Sequence, residues 1–205
     1  MSFYERYVLP RLLHVAMGQA DITRQRERVI PGAHGRVLEV GVGSGLNLPL
    51  YGAGVTTVAG IDPSEPLLAM AAKAAARTRH ETALSPASAE ALPFPDGGFD
   101  CVVSTWTLCS IPDVEGALGE IRRVLKPDGD LLFIEHGLAE DEGVRRWQHR
   151  LTPLWRRCAG GCHLDRPIRA LIAGAGFEIG TLETGHLIKG PRPFTYHYRG
   201  QARIA

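Results

Sequence analysis

The sequence predicts an α/β fold, a mostly parallel sheet with helices on both faces, and three observations carry that expectation. From residue 36 onward, short apolar runs alternate with stretches of helical period, the pattern of strand-helix-strand units. The glycine-rich stretch Glu39-Val-Gly-Val-Gly-Ser-Gly45 follows the first apolar run directly. Asp62 closes the second run about 20 residues further on, at the carboxyl edge where such sheets bind their ligands.

Taken in order, the region Phe3 to Ala20 carries Tyr4, Tyr7, Val8, Leu12, Val15 and Ala16 near helical spacing, with Pro10 starting or kinking the helix. Residues 1–35 therefore read as an N-terminal helical arm or lid, and residues 36–205 as the domain proper. Arg36–Val40 reads as a buried strand and Thr57–Asp62 as a second, joined through a brief helix at Leu46–Leu50 that Pro49 limits. Ser64 is the expected cap of an alanine-rich helix from Glu65 to Arg77, acidic in its first turn and basic in its last. Glu81–Ser85 is a weak third strand, and the prolines and glycines between Ser88 and Gly98 mark a loop. Phe99–Ser104 is a clear buried strand. Val114–Leu125 is a helix capped by Asp113, and Pro127-Asp-Gly129 separates it from a strand over Asp130–Glu135. Gly143–Arg157 and Arg166–Ala175 are further helices, and Phe177–Glu183 with Phe194–Ala202 form a closing pair of strands.

Composition narrows the function classes. Lys and Arg number 23 against 22 Asp and Glu with no long basic run, so nucleic acid is not an expected partner. The cysteines, Cys101, Cys109, Cys158 and Cys162, are too sparse for a secreted disulfide scaffold, and the start of the chain lacks the charge pattern of an export signal. A reducing cytoplasm is the expected compartment. The uncharged stretch from Val40 to Ile61 is broken by glycines, Asn47 and Pro49, so it reads as strand, loop and strand; no stable membrane anchor is expected.

The glycines at 41, 43 and 45 let a ligand lie against bare backbone N–H groups, and the Asp62 carboxylate can accept both ribose hydroxyl protons of a nucleoside. A dinucleotide dehydrogenase competes for this pattern. Against it, the third glycine follows the second by two residues rather than three, and Glu39 suits a cationic amine better than a pyrophosphate.

Through the pieces VLEVGVGSG, GIDPS, ASAEALPFPDGGFDCVV and VLKPDG, in that order, the chain from Val37 to Glu135 resembles the class I S-adenosylmethionine (SAM)-dependent methyltransferases, in the branch of the ubiquinone and menaquinone methyltransferases. The resemblance implies a Rossmann-like seven-stranded sheet of order 3-2-1-4-5-7-6, last strand antiparallel, with SAM as cofactor and S-adenosylhomocysteine as product. It further implies Gly41, Gly43 and Gly45 beneath the methionine and ribose portions, Asp62 on the ribose hydroxyls, and Ser88, Ala89 and Glu90 flanking the adenine. Glu39, Asn47 and Pro63 complete the expected cofactor contacts, and Thr105 lies near the methionine end. A second resemblance covers nearly the whole chain. Thr105-Trp-Thr-Leu-Cys-Ser-Ile111, Glu135-His136, the segment Trp147 to Trp155, Gly161-Cys-His-Leu-Asp-Arg166 and the tail through Arg199, all but the start of the chain, look like the small-molecule methyltransferases related to mammalian alkyl-thiol methyltransferases. Those relatives begin with a hydrophobic membrane anchor that this sequence does not show, which implies a soluble version.

Methyl transfer by in-line displacement asks a protein mainly to align a nucleophile and exclude water. A thiol acceptor, with an intrinsic pKa of about 8.5, needs only a modest base. His136, at the carboxyl end of the fifth strand, is the candidate base and acceptor contact; the alternative is a structural histidine. Trp106, Tyr4 and Tyr7 are candidate walls of an apolar acceptor pocket, the alternative being core aromatics. Cys162 touches the acceptor if its glycine-rich loop folds over the cleft. Cys158, Cys162, His163 and Asp165 are ligand types without a paired metal spacing, so no metal is expected. The expected function is methylation of a small acceptor, a thiol favoured. The competing readings are a lipid or quinone-head methyltransferase whose arm binds a membrane surface, and a non-catalytic SAM-binding module.

Overall fold

The computed structural model describes residues 4–205, with the side chains of Glu5 and Arg6 left aside, so the expected helix start at Phe3 lies outside the described residues. A π-helical turn at Tyr4–Val8 leads into α1 (Leu9–Met17), and α2 (Ala20–Val29) follows. The strands and helices then alternate: β1 (Gly35–Val40), β2 (Val55–Ile61), α3 (Glu65–Ala75), β3 (Glu81–Ser85), β4 (Phe99–Thr105), α4 (Val114–Val124), β5 (Leu125–His136), α5 (Glu142–Cys158), α6 (Ile168–Gly174), β6 (Phe177–His186) and β7 (Tyr196–Ile204).

The sheet has the order β3-β2-β1-β4-β5-β7-β6. Strands β1 to β5 pair in parallel, and β7 runs antiparallel to both of its neighbours. Val37, Leu38, Val102 and Val103 are fully buried although consecutive residues point to opposite faces, the signature of a sheet covered on both sides. One face holds Leu38, Val102, Leu131 and Phe133 against Leu118 and Ile121 of α4 and Ile168 and Ile172 of α6. The other holds Val37, Val58, Val103 and Ile134 against Val29 of α2 and Leu68 and Ala71 of α3. Each such Leu, Ile or Phe contributes about 1.5–3 kcal/mol of burial, which fixes the strand ends that carry the site.

Several local expectations are corrected. Helix α2 was not anticipated: its inward face is Ile22, Gln25, Arg26 and Val29, and with two polar residues it leaves no apolar period to read. Ser64 makes no side-chain cap; the Asp62 Oδ1 accepts the Ser64 N–H at 2.8 Å instead, organising the entry to α3. The break foreseen at Pro127-Asp-Gly129 is a bulge inside one long strand, because Leu125 pairs with Phe99 and Asp130 with Cys101. Helix α6 starts two residues later than Arg166, whose guanidinium is engaged by the carbonyls of Leu108 and Ile111. Strand β7 starts at Tyr196, since Arg192–Phe194 is a 3-10 turn.

Candidate active site

A cavity of about 960 Å³ opens at the carboxyl ends of β1, β2, β4 and β5, where the chain reverses direction across the sheet between β1 and β4. Its floor is the turn after β1. Gly41, Gly43 and Gly45 all have positive φ (71°, 55° and 80°), which explains glycine at each, but the three do different work. A Cβ on Gly43 would meet only the Gly41 carbonyl, at 3.9 Å, so bare backbone faces open space there. A Cβ on Gly41 would overlap the Thr107 side chain. Gly45 is a correction: it is not a cavity wall, and its Cβ would sit 3.0 Å from Ala71 and Ala74, so it exists to let α3 pack closely.

At the end of β2, Asp62 accepts the Gly43 N–H through Oδ2 at 3.0 Å and the Ser64 N–H through Oδ1 at 2.8 Å. Burial raises its pKa against the pull of those two donors. One lone pair per oxygen remains for a ligand. Pro63, Ser88 and Ala89 also line the cavity. Glu90 does not: its Oε1 caps the Asp113 N–H and its Oε2 accepts the Ser88 hydroxyl, so it is committed to holding the loop.

Glu39 is 1 % exposed at the bottom of the cavity. Its oxygens accept the Asn47 amide N–H and the Tyr51 hydroxyl, both at 2.8 Å, and burial pushes its pKa up to about 7. Asn47 also donates to the Thr105 hydroxyl at 3.0 Å, and its Oδ1 is buried without a partner. Above this group lies Arg26 from α2, which sequence reasoning missed. Its guanidinium donates to the Met17 carbonyl at 2.7 Å and sits 4.7 Å over the Trp106 ring, while its Nε is buried and unpartnered. Burial lowers its pKa to about 10, the Glu39 charge working the other way. Helix α1 is tied to the glycine turn by His14, whose Nδ1 lies 2.8 Å from the Ser44 hydroxyl.

The far end of the cavity is built from β5 and two loops. His136 ends β5, stacks on His197 at 5.1 Å and holds its Nδ1 3.6 Å from the Cys162 sulfur, with its Nε2 buried and unpartnered. His197 faces the Thr195 carbonyl at 2.7 Å, and burial lowers its pKa to about 3. Glu135, fully buried, accepts the Ser104 hydroxyl and the N–H groups of Thr107 and Cys109, which fixes the loop after β4. In that loop Trp106 holds a left-handed φ of 52°, a conformation that costs about 1 kcal/mol or more in a bulky residue. Trp106, Trp155, Leu9, Leu13 and Met17 line the cavity with Cys109 and Cys162. Tyr4 and Tyr7 do not. Tyr4 lies outside, its hydroxyl donating to the Cys158 carbonyl, and Tyr7 is 47 % exposed. Among the described residues no group of three His, Cys, Asp or Glu is arranged to hold a metal ion.

Residues 38–133 match the family described as "Methyltransferase domain". A phosphatidylethanolamine N-methyltransferase of Cereibacter sphaeroides is 40 % identical over 71 % of this chain and 71 % of its own length. The chain belongs to the class I SAM-dependent methyltransferases. A thiol S-methyltransferase of Rattus norvegicus is 35 % identical over 72 % of this methyltransferase and 62 % of its own length, so the chain spans about three fifths of that relative. Among solved structures, the [4+2]-cyclase SpnF superposes with a TM-score of 0.71 at 24 % identity, covering 90 % of this chain and 80 % of that one, a likeness of fold alone. The cofactor of the family, SAM, fits the residues of this methyltransferase. Open space above Gly43 admits a ligand against backbone N–H groups, Asp62 keeps lone pairs for hydroxyls, and the unpartnered Arg26 Nε and Asn47 Oδ1 match the carboxylate and ammonium of an amino acid.

Proposed function

We propose that this protein methylates a small thiol, with His136 as the base and the N-terminal arm, residues 1–35, as a lid over the cavity. When bound, SAM supplies a methyl group on a sulfonium, already activated for displacement. Asp62 would hold the ribose hydroxyls, Gly41 and Gly43 the chain beneath them, Ser88 and Ala89 the adenine. Arg26, with the Glu39, Asn47 and Thr105 network, would hold the amino-acid end. Trp106, Trp155 and the apolar side of α1 exclude water from the far end, which lengthens the reach of every charge inside.

One observation carries the reading: the His136 Nε2 is buried, unpartnered and set in a cavity wall beside a thiol. A buried imidazole nitrogen without a partner is costly unless a ligand completes it. A thiol proton answers that need, and the rat relative is a thiol S-methyltransferase. The test offers SAM and a panel of thiols, phenols, amines and quinols to the purified chain and reads products about 14 Da heavier, the mass of one methyl replacing one hydrogen. His136→Gln should lower kcat for a thiol by about 10²-fold or more while leaving SAM affinity nearly unchanged. Methylation of phenols or amines with no thiol product overturns the assignment.

A second reading is favoured by a specific surface. Leu12 and Val15 on α1, and Trp147 and Leu154 on α5, are large exposed apolar side chains, and α5 carries Arg145, Arg146, Arg150, Arg156 and Arg157. Such side chains suit an anionic membrane and a lipid headgroup acceptor, and the Cereibacter relative is a phosphatidylethanolamine N-methyltransferase. Co-sedimentation with vesicles, and activity that rises with them, would favour it. No helix among the described residues is long and apolar enough to cross a membrane.

A further inference from the structure

Two thiols at the far end of the cavity play no part in the methyl-transfer chemistry described above. Cys109, from the loop after β4, and Cys162, from the loop after α5, are far apart in sequence but meet in space. The Cys109 carbonyl accepts the His163 N–H at 2.8 Å, which locks the two loops together and sets both cysteines in one stretch of cavity wall. Both are free and both are cavity walls. They are not equivalent. Cys109 is 1 % exposed and sits behind, whereas Cys162 is half-buried and reachable from the cavity. Cys162 is held well below the usual thiol range, first by the hydrogen bond from Cys109 and then by the His136 ring, with burial working against both. Cys109 is pushed well above that range by the same hydrogen bond and by burial. The Trp155 indole Nε1, in the same cavity wall, is buried without a hydrogen-bond partner.

A reachable thiol beside an imidazole, with a second, buried thiol on the loop tied to it, is the arrangement that thiol-disulfide exchange uses: one sulfur to attack, one to resolve. We propose that Cys162 and Cys109 form an exchange centre that opens small organic disulfides inside the cavity and delivers the freed thiol where methyl transfer takes place. The delivery rests on the thiol-acceptor reading above; the exchange itself does not. In the first step the Cys162 sulfur attacks one sulfur of R–S–S–R, forming Cys162–S–S–R and releasing R–S⁻. In the second, Cys109 loses its proton and attacks Cys162, forming the Cys109–Cys162 disulfide and releasing the second thiol, R–SH. The proton from Cys109 goes to a released thiolate. The organic disulfide gains two electrons and the protein dithiol loses two, and a small dithiol reductant restores the enzyme for another round. The ligand class is set by the walls: Leu9, Leu13, Met17, Trp106 and Trp155 select an apolar disulfide of small groups.

The experiment uses the full chain, reduced and then freed of reductant, with 2,2′-dithiodipyridine as the probe. Released thiopyridone is read by absorbance and the cysteine peptides by mass spectrometry. Exposed Cys158 is expected to carry a simple adduct. Expected for the pair is a covalent link between the Cys109 and Cys162 peptides, about 2 Da lighter than the two reduced peptides together. With Cys109→Ser the link cannot form, and a mixed disulfide should persist on Cys162. An adduct confined to Cys158, or Cys162 modified in the unaltered chain without linkage to Cys109, overturns the proposal; this arm stands even if the variant fails to fold. Adding SAM separates the two readings. Methylation of a preformed thiol without any link overturns exchange and leaves thiol methylation standing, and a link without methylated product supports exchange and removes the thiol-acceptor reading.

Discussion

Replacing Asp62 by Asn should weaken cofactor binding without a matching loss of stability, and the two effects can be separated on the same sample. The carboxylate spends one lone pair on the Gly43 N–H and one on the Ser64 N–H, leaving the remainder for ligand hydroxyls. Asn keeps the shape but turns one end into a donor, so at least one charge-assisted ligand hydrogen bond goes. Such a bond is worth about 1.5–3 kcal/mol, or about 10- to 150-fold in Kd. For the unliganded fold the terms oppose one another. Burial raises the Asp62 pKa, so its charge is a cost in the folded state that Asn removes, while one backbone donor loses a good acceptor. The melting temperature should therefore move by only a few degrees. Calorimetric titration with SAM measures the first effect. Thermal melts with and without SAM measure the second: protection of about 2.7 kcal/mol at 100 times the native Kd falls to about 0.9 kcal/mol if Kd rises about thirtyfold. An unchanged Kd, or a fold lost in proportion to binding, would refute the assignment of Asp62 to the sugar.

Arg26→Met removes a buried cation whose Nε has no partner. It should raise the Kd for SAM by about tenfold or more, read by the same titration, with less effect on a decarboxylated analogue. Glu39 makes binding depend on pH. Its folded pKa of about 7 lies above the unfolded value, so the unliganded fold is favoured when Glu39 is protonated and loses that contribution as pH rises from about 4.5 to about 7. A cationic amine needs it ionised, so SAM affinity should rise with pH up to about 7 and then level, with proton release detectable by titration in buffers of different ionisation enthalpy. Gly45→Ala meets Ala71 and Ala74 at 3.0 Å on a left-handed backbone and should lower the melting temperature by several degrees. Gly43→Ala meets open space and should cost stability only the roughly 1–2 kcal/mol of the backbone conformation while impairing SAM binding more than Gly45→Ala does.

What the sequence disclosed is what the backbone itself demands. A chain that turns with positive φ straight after a buried strand must use glycine, so Gly41 and Gly43 could be found by their type and spacing, and Asp62 by its place at the end of the next apolar run. Side-chain alternation between two buried faces likewise made β1, β4 and β5 readable. Gly45 has the same residue type at the same spacing yet serves helix packing, a role defined by the neighbouring Ala71 and Ala74.

What stayed hidden are groups defined by a partner distant in sequence. The inward face of α2 is half polar, so apolar periodicity passes over Arg26, yet a buried guanidinium is intelligible only beside Glu39 and over the Trp106 ring. Cys109 and Cys162 each read alone as an ordinary buried or loop cysteine, and their chemistry exists only because Glu135 pins one loop and the His163 N–H the other. Both cases have the same energetic logic. Burying Arg26, Glu39 and Glu135 costs stability, since burial moves each pKa toward the neutral form. Packing alone would be served better by apolar residues of similar size; Glu135 is justified by the loop it holds, whereas Arg26 and Glu39, lining the cavity, argue that a ligand completes them. An apolar replacement such as Arg26→Met is then the discriminating change: a purely structural role predicts a damaged fold, and a ligand role predicts a sound fold that has lost its grip on the cofactor.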